Sequence, residues 1–260
     1  MSTFLFDSIV FGPVHSRRLG VSLGINLLPV GRKVCSFNCI YCECGWTNDA
    51  TARRSALPSR TAVCEALRNK LYEMKSNGTA PDVITYAGNG EPTLHPDFAS
   101  IIDDSLTLRN EYFPEAKVSV LSNGSMLNRK SVREALKKVD MNILKLDSAI
   151  PQTVQMINQP HVRIDLTAYG RYIKELDGRF IIQTLFVRGE YDGKKVDNTT
   201  PEELTAWLAA IRRLNPQSVM IYTIDRDTPL GNNLTKVPLA ELRAIAARVE
   251  EMGIDTLVSG

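Results

Sequence analysis

Residues 33–42 read Lys33-Val34-Cys35-Ser36-Phe37-Asn38-Cys39-Ile40-Tyr41-Cys42, three cysteines in a C-x3-C-x2-C spacing. They follow an apolar, strand-like run over residues 20–28 that gives way at Pro29. A thiolate is a soft ligand that selects iron–sulfur clusters, zinc or copper(I), and a short loop lets several converge on one centre. Three thiolates on a four-iron cluster leave one iron without a protein ligand, free to bind substrate or cofactor as an open catalytic zinc does. Spacing alone leaves other uses open. A structural zinc site commonly takes two C-x2-C pairs, and no second pair is present. Cys44 makes Cys39, Cys42 and Cys44 an alternative ligand set. Unligated cysteines also pack as small hydrophobes.

The rest of the composition bounds the class. At 260 residues the chain is long enough for a single α/β domain with a sizeable core. Hydrophobic residues make up 43% and charged residues 23%, ordinary for a globular protein. A formal net charge of +2, from 31 basic and 29 acidic residues, gives no whole-protein field toward nucleic acid, though a local basic patch stays possible. No apolar run approaches a membrane span, and Met1-Ser2-Thr3-Phe4 lacks the charged start and apolar core of a signal peptide. Five cysteines, three of them clustered, suit a reducing compartment, so the expected location is cytoplasmic and no membrane partner is expected.

Outward from the cysteines, strands and helices alternate. Residues 4–11 and 20–28 read as two short strands separated by Gly12-Pro13, with His15-Ser16-Arg17-Arg18 between them. Pro58-Ser59-Arg60-Thr61 opens a helix that Asn77-Gly78 stops, with Val63, Ala66, Leu67, Lys70, Leu71 and Met74 at helical spacing. Cys64 lies in it as packing. The strand 82–87 runs directly into Gly88-Asn89-Gly90-Glu91, a glycine-rich turn that exposes backbone groups and lets a ligand approach closely. Residues 117–121 form a strand ending in Ser122-Asn123-Gly124, and a helix begins near Asn128. In the strand 142–148, Ile143, Lys145 and Asp147 share one face, where charge is costly to bury unless it pairs or binds something. Residues 150–160 read as a proline-broken loop, with Met156–Pro160 on the substrate side, and a helix covers about 164–176. A strand over 179–188 carries Gln183 as its buried polar residue. Thr200, Pro201, Glu202 and Glu203 start a helix that runs to Leu214. Residues 218–226 make the sixth strand, and a helix over about 239–252 closes the pattern.

C-x3-C-x-aromatic-C resembles the cluster motif of the radical S-adenosylmethionine enzymes, and Cys35, Cys39 and Cys42 match it position by position. The flanking residues 12–20 and 26–29 look like the lead-in of a compact subgroup placed with the wyosine-type tRNA-modifying synthases. The resemblance implies a single domain over residues 1–260: an incomplete (β/α)6 TIM-like barrel with a strand extension at about 1–19 and a cluster loop at about 30–56. It implies a [4Fe–4S] cluster held by Cys35, Cys39 and Cys42, and S-adenosylmethionine bound beside it. Gly90-Glu91-Pro92 matches the family's G-G-E-like motif, with Asn89 where a glycine is common; Ser122-Asn123-Gly124 resembles its T-N-G turn. The implied cofactor residues are Tyr41, Gly88, Asn89, Gly90, Glu91, Ser122, Asn123, Lys145, Asp147, Gln183 and Tyr222, with Thr223 near the adenine. Asp225-Arg226-Asp227-Thr228-Pro229 resembles the subgroup's D-R-x-P ending. The implied activity is reductive cleavage of S-adenosylmethionine to a 5′-deoxyadenosyl radical that takes hydrogen from a substrate, an RNA base or a small molecule. An external one-electron donor, flavodoxin- or ferredoxin-like, would be required. For an RNA substrate, Arg17, Arg18, Arg53, Arg54 and Arg60 are the candidate basic patch. The alternatives are an activase that installs a glycyl radical on a partner protein, or a non-catalytic iron–sulfur or zinc protein. Every singled-out turn falls at the C-terminal end of a strand, the face on which α/β barrels and open sheets bind ligands.

Overall fold

The computed structural model describes residues 4–16, 19–47 and 57–260. Arg17, Arg18, Arg53 and Arg54, and the tail of the cluster loop, lie outside them. In chain order the elements are β1 (Val10–Ser16), β2 (Gly20–Ile25), α1 (Arg60–Ser76), β3 (Val83–Tyr86), α2 (Phe98–Tyr112), β4 (Lys117–Ser122), α3 (Lys130–Leu136) and β5 (Met141–Lys145). They continue as α4 (Pro151–Asn158), α5 (Leu166–Lys174), β6 (Ile181–Tyr191), β7 (Lys194–Asp197), α6 (Pro201–Leu214), β8 (Ser218–Thr223), β9 (Leu234–Lys236), α7 (Leu239–Glu250) and β10 (Asp255–Ser259).

One sheet runs β1-β2-β3-β4-β5-β6-β8-β10, with β7 and β9 pairing on β6. From β2 onward the main path is parallel, as strand–helix–strand crossovers require. The path does not close on itself, so the architecture is a mixed α/β half-barrel. Alternation along each strand sorts the side chains. Leu23, Ile25, Ile84, Tyr86, Val120 and Leu144 point outward into one core with α1 and α2 residues such as Leu67, Leu71 and Ile101. The inward positions Ile143, Ile181 and Met220 form a separate cluster in the lumen.

Helix ends behave as the residue chemistry predicts. Ser59 caps α1 by accepting from Ala62 N, and Thr200 caps α6 by accepting from Glu203 N. Four expectations need correction. Residues 4–7 are not strand, and β1 instead runs through Gly12-Pro13, with a register break between Phe11 and Val14 that absorbs the proline. The proline at 151 starts a helix rather than breaking one, because a first-turn position needs no N–H, so 151–158 is α4. Strand β6 extends beyond residue 188 into a hairpin with β7 and also takes β9 on its side. Finally, β10 adds a seventh parallel strand beside β8, where six were expected. Its Asp-Thr-Leu-Val-Ser pattern is short, half-exposed and without the apolar run that marks a central strand.

Candidate functional site

The cluster loop is stitched down on two sides. On one, Val34 forms a parallel bridge with Gly90: Val34 N donates to Asn89 O (2.8 Å) and Glu91 N donates to Val34 O (3.1 Å). Gly90 sits at φ +136°, and a Cβ there would stand 1.9 Å from Val34 O, so only glycine admits this approach. On the other side, Asn38 N donates to Asn158 O (3.0 Å), Ile40 N to Ile157 O (2.9 Å) and His161 N to Ser36 O (2.8 Å). Of the residues read from sequence as a substrate-side loop, 156–158 are the end of α4 and Pro160 bridges Phe37, so the segment buttresses the cysteines.

The result is one cavity lined by Cys35, Cys39, Cys42 and Cys44 together with Gly88, Gly90, Glu91, Ser122, Asn123, Lys145 and Gln183. Glu91 is buried to 2% exposure, and both its carboxylate oxygens are engaged. One accepts from Thr93 N, Thr93 Oγ1 and Ser122 Oγ (2.8 Å); the other accepts from Asn123 N at 2.7 Å. Burial pushes its pKa up, and those four bonds work against the shift. Glu91 thereby ties the turn after β3 to the Ser122-Asn123-Gly124 turn after β4. Asn123 in turn donates to Ser36 Oγ (2.9 Å) and Cys35 Sγ (3.6 Å).

At the end of β5, Lys145 Nζ donates to Tyr41 Oη (2.6 Å) and pairs with Asp147 Oδ2 at 3.5 Å. Tyr41 Oη donates to that same oxygen, which also accepts from Asn158 Nδ2 at 2.6 Å. Leu185 N donates to the other carboxylate oxygen (3.0 Å). Asp147 is therefore a fully buried hub whose acceptors are filled by the protein, the ion pair its strand position allowed. Burial would lower the Lys145 pKa, but Asp147, Tyr222 and the nearby thiols outweigh it and hold the ammonium charged. Burial first, then Asp147, pushes the Tyr41 hydroxyl well above its usual range.

The thiols differ. Burial pushes Cys35 up to about 12 and raises Cys39 as well. Cys42 is lowered to about 5 by a hydrogen bond from Cys44, against burial and with help from Lys33; the Cys44 thiol is correspondingly raised. Lys33, which sequence reasoning passed over, is buried and donates to Gly45 O (2.8 Å). Burial disfavours its charge, but Cys42, Cys35 and Cys39 more than restore it. Its signal was only a lysine two residues before the first cysteine. Among the described residues, no three His, Cys, Asp or Glu side chains converge on a point that suits a single metal ion. Thiols spread around one cavity, with the Lys33 and Lys145 ammonium groups beside them, fit a multi-atom anionic cluster.

Not every expected residue faces this cavity. The Asn89 amide is spent elsewhere: it donates to Phe6 O (2.8 Å) and Pro29 O (3.0 Å) and accepts from Phe6 N (2.8 Å). Only its backbone meets the loop. Tyr222 and Thr223 line a neighbouring cavity on the far side of Tyr41 and Cys42. Thr223 Oγ1 is bonded to Phe186 O and Val237 N. Arg60 forms a two-bond pair with Asp104 on α2, and Cys64 packs against the core. A further cavity shares Phe37, Asn123 and Lys145 with the thiol-lined one and is walled by α4 and α5 residues, including Val154, Leu166 and Tyr169.

The sequence profile of the radical SAM superfamily matches residues 32–196, which takes in the thiols, the Gly88–Glu91 turn and the Lys145–Asp147 strand end. The chain belongs to the radical SAM superfamily. Members of that superfamily use a [4Fe–4S] cluster and S-adenosylmethionine. A GTPase Obg of Brachyspira hyodysenteriae is 33% identical over 226 residues, 84% of this chain but 30% of that protein. A UPF0026 protein of Helicobacter pylori is 32% identical over 222 residues, 84% of this chain and 67% of its own length. A UPF0026 protein of Synechocystis is 32% identical over 231 residues, 86% and 78%. Among solved structures, Streptococcus suis SuiB bound to S-adenosylmethionine superposes with a TM-score of 0.63 at 16% identity, over 90% of this chain and 50% of that one. A radical SAM methyltransferase from Sphaerobacter thermophilus gives 0.66 at 14% identity, over 92% and 65%. These two show the shared half-barrel fold. No helix among the described residues is long and apolar enough to cross a membrane.

Proposed function

We propose that the chain is a radical SAM enzyme in which Cys35, Cys39 and Cys42 hold the [4Fe–4S] cluster, and S-adenosylmethionine docks between the Gly88–Glu91 turn and Lys145. The observation that carries this reading is the shared cavity: three spaced thiols, the glycine-rich turn and the polar ends of β4 and β5 line one space. When bound, the cluster and S-adenosylmethionine supply a 5′-deoxyadenosyl radical that abstracts hydrogen from substrate.

The chain's own residues bind, orient and exclude water. Gly88 and Gly90 seat the turn flush against Asn26 and Val34, where a Cβ would clash, and so hold its backbone beside the thiols for the cofactor's methionine end. Glu91 holds that turn against the β4 turn and supplies negative charge toward the amino group. The Lys145 ammonium, kept charged, faces a carboxylate or ribose oxygen, while Asp147 fixes Lys145 and Tyr41 from behind. Tyr41 and Gln183 wall the adenine side, with Tyr222 in the adjoining cavity beyond Tyr41. Asn89 acts through its backbone only. The cavity walled by α4 and α5 gives the reacting carbon of the substrate, a small molecule or a single extruded base, a place beside Lys145. The electron comes from an external flavodoxin- or ferredoxin-like donor, and five unpaired cysteines accord with a reducing cytoplasm.

Anaerobic reconstitution tests the ligand set. The wild-type chain should take up a full [4Fe–4S] complement, and Cys35→Ala, Cys39→Ala and Cys42→Ala should each lose most of it. Cys44→Ala and Cys64→Ala should retain it. A Cys44→Ala chain that loses the cluster while Cys35→Ala keeps it would overturn the assignment.

A further inference from the structure

Asn158, the last residue of α4, has no role in the reading above, yet it is 2% exposed and reaches the thiols. Its amide nitrogen lies 2.6 Å from Asp147 Oδ2 and 3.5 Å from Cys39 Sγ. Tyr41 Oη also lies 3.5 Å away, but it already accepts from Lys145, so of the amide's two hydrogens one goes to Asp147 and the other faces the Cys39 sulfur. The orientation is forced, because turning the amide over would set its oxygen against the Asp147 carboxylate. The backbone that carries it is fixed beside the loop: the Asn158 carbonyl accepts from Asn38 N, one residue before Cys39, and Gln159 turns the chain sharply at φ 45°.

We propose that Asn158 is a positioning residue that sets the reduction potential of the cluster through Cys39; this rests on the ligand assignment proposed above. An N–H donated to a ligating sulfur draws electron density from it, which favours the more negatively charged, reduced cluster and raises the potential. The amide also stands between two anions, since Asp147 would otherwise face the Cys39 thiolate directly. Removing it exposes the sulfur to that carboxylate, and both effects lower the potential. Asn123 makes the corresponding contact to Cys35 from the β4 turn, so two of the three thiols receive an asparagine amide, one from a strand end and one from the end of α4. Only the Asn158 amide is also bonded to the Lys145–Tyr41–Asp147 network, so it links the cluster to the groups beside the cofactor.

The test is an EPR-monitored redox titration of the reconstituted cluster, without S-adenosylmethionine, in the wild-type chain and in Asn158→Leu, which keeps the volume and removes the donor. The inference predicts a midpoint shifted to more negative potential in Asn158→Leu at equal iron and sulfide content. An unchanged midpoint overturns it. Should Asn158→Leu take up no cluster, Asn158→Thr, whose hydroxyl is too short to reach Sγ, is titrated instead and read the same way. A wild-type chain that assembles no [4Fe–4S] cluster defeats the ligand assignment itself, an outcome distinct from a fully loaded pair with equal midpoints.

Discussion

Replacing Gly90 with alanine should open the seam between the cluster loop and the turn after β3. Two structural terms set the size of the effect. Alanine at a φ of +136° carries about 1–3 kcal/mol of backbone strain wherever the loop sits, and its Cβ would meet Val34 O at 1.9 Å. Relief requires the loop to move off, which breaks the bonds from Val34 N and Glu91 N, each contributing about 0.5–1.5 kcal/mol. A central value near 4 kcal/mol lowers the melting temperature by roughly 8–16 °C for a domain of this size. Urea and thermal unfolding of the reduced, metal-free chain measure it without any contribution from cofactors. Gly78→Ala is the control: its φ is +68°, nothing lies within 4 Å of a Cβ there, and it should cost only about 1–2 kcal/mol. The reasoning is refuted if Gly90→Ala is no more destabilising than Gly78→Ala.

Asp147→Asn should destabilise the chain by about 3 kcal/mol, because it leaves the Lys145 ammonium without its buried counter-charge; a loss below a third of that in urea unfolding would count against the hub. The Lys145 pKa is raised above its ordinary 10.5, so the stabilisation it provides is complete below that value and is lost as the pH climbs through its folded-state pKa. The stability difference between wild type and Lys145→Met should accordingly be flat from about pH 7 to 10 and shrink above that, read by denaturant unfolding across the range. Glu91→Gln should weaken S-adenosylmethionine binding at least tenfold by equilibrium dialysis and lower stability by about 2 kcal/mol, since the new amide nitrogen must face a backbone donor. Unchanged binding in a stable Glu91→Gln chain would place the amino group elsewhere.

The parts of the site legible in sequence are those whose chemistry is local. The three cysteines, the Gly88–Glu91 turn, and the Lys145 and Asp147 pair on one strand face are all set by spacing and by period-two alternation. The caps at Ser59 and Thr200 likewise depend on a few neighbouring residues. What escaped is long-range. Asn158 matters because α4 ends against the cluster loop, more than a hundred residues away in sequence. Asn89 occupies a motif position, but tertiary contacts with Phe6 and Pro29 turn its amide away from the cavity. Pro151 was read as a breaker although its position at a helix start is one that proline tolerates. Strand β10 is an edge strand with one partner, so neither burial nor alternation marks it strongly.

The most direct test is the formation of 5′-deoxyadenosine. The reconstituted wild-type chain, reduced with dithionite under anaerobic conditions and supplied with S-adenosylmethionine, should release the nucleoside, and Cys39→Ala treated identically should release none above the protein-free background. Equal rates from the two chains would contradict a cluster held by Cys35, Cys39 and Cys42.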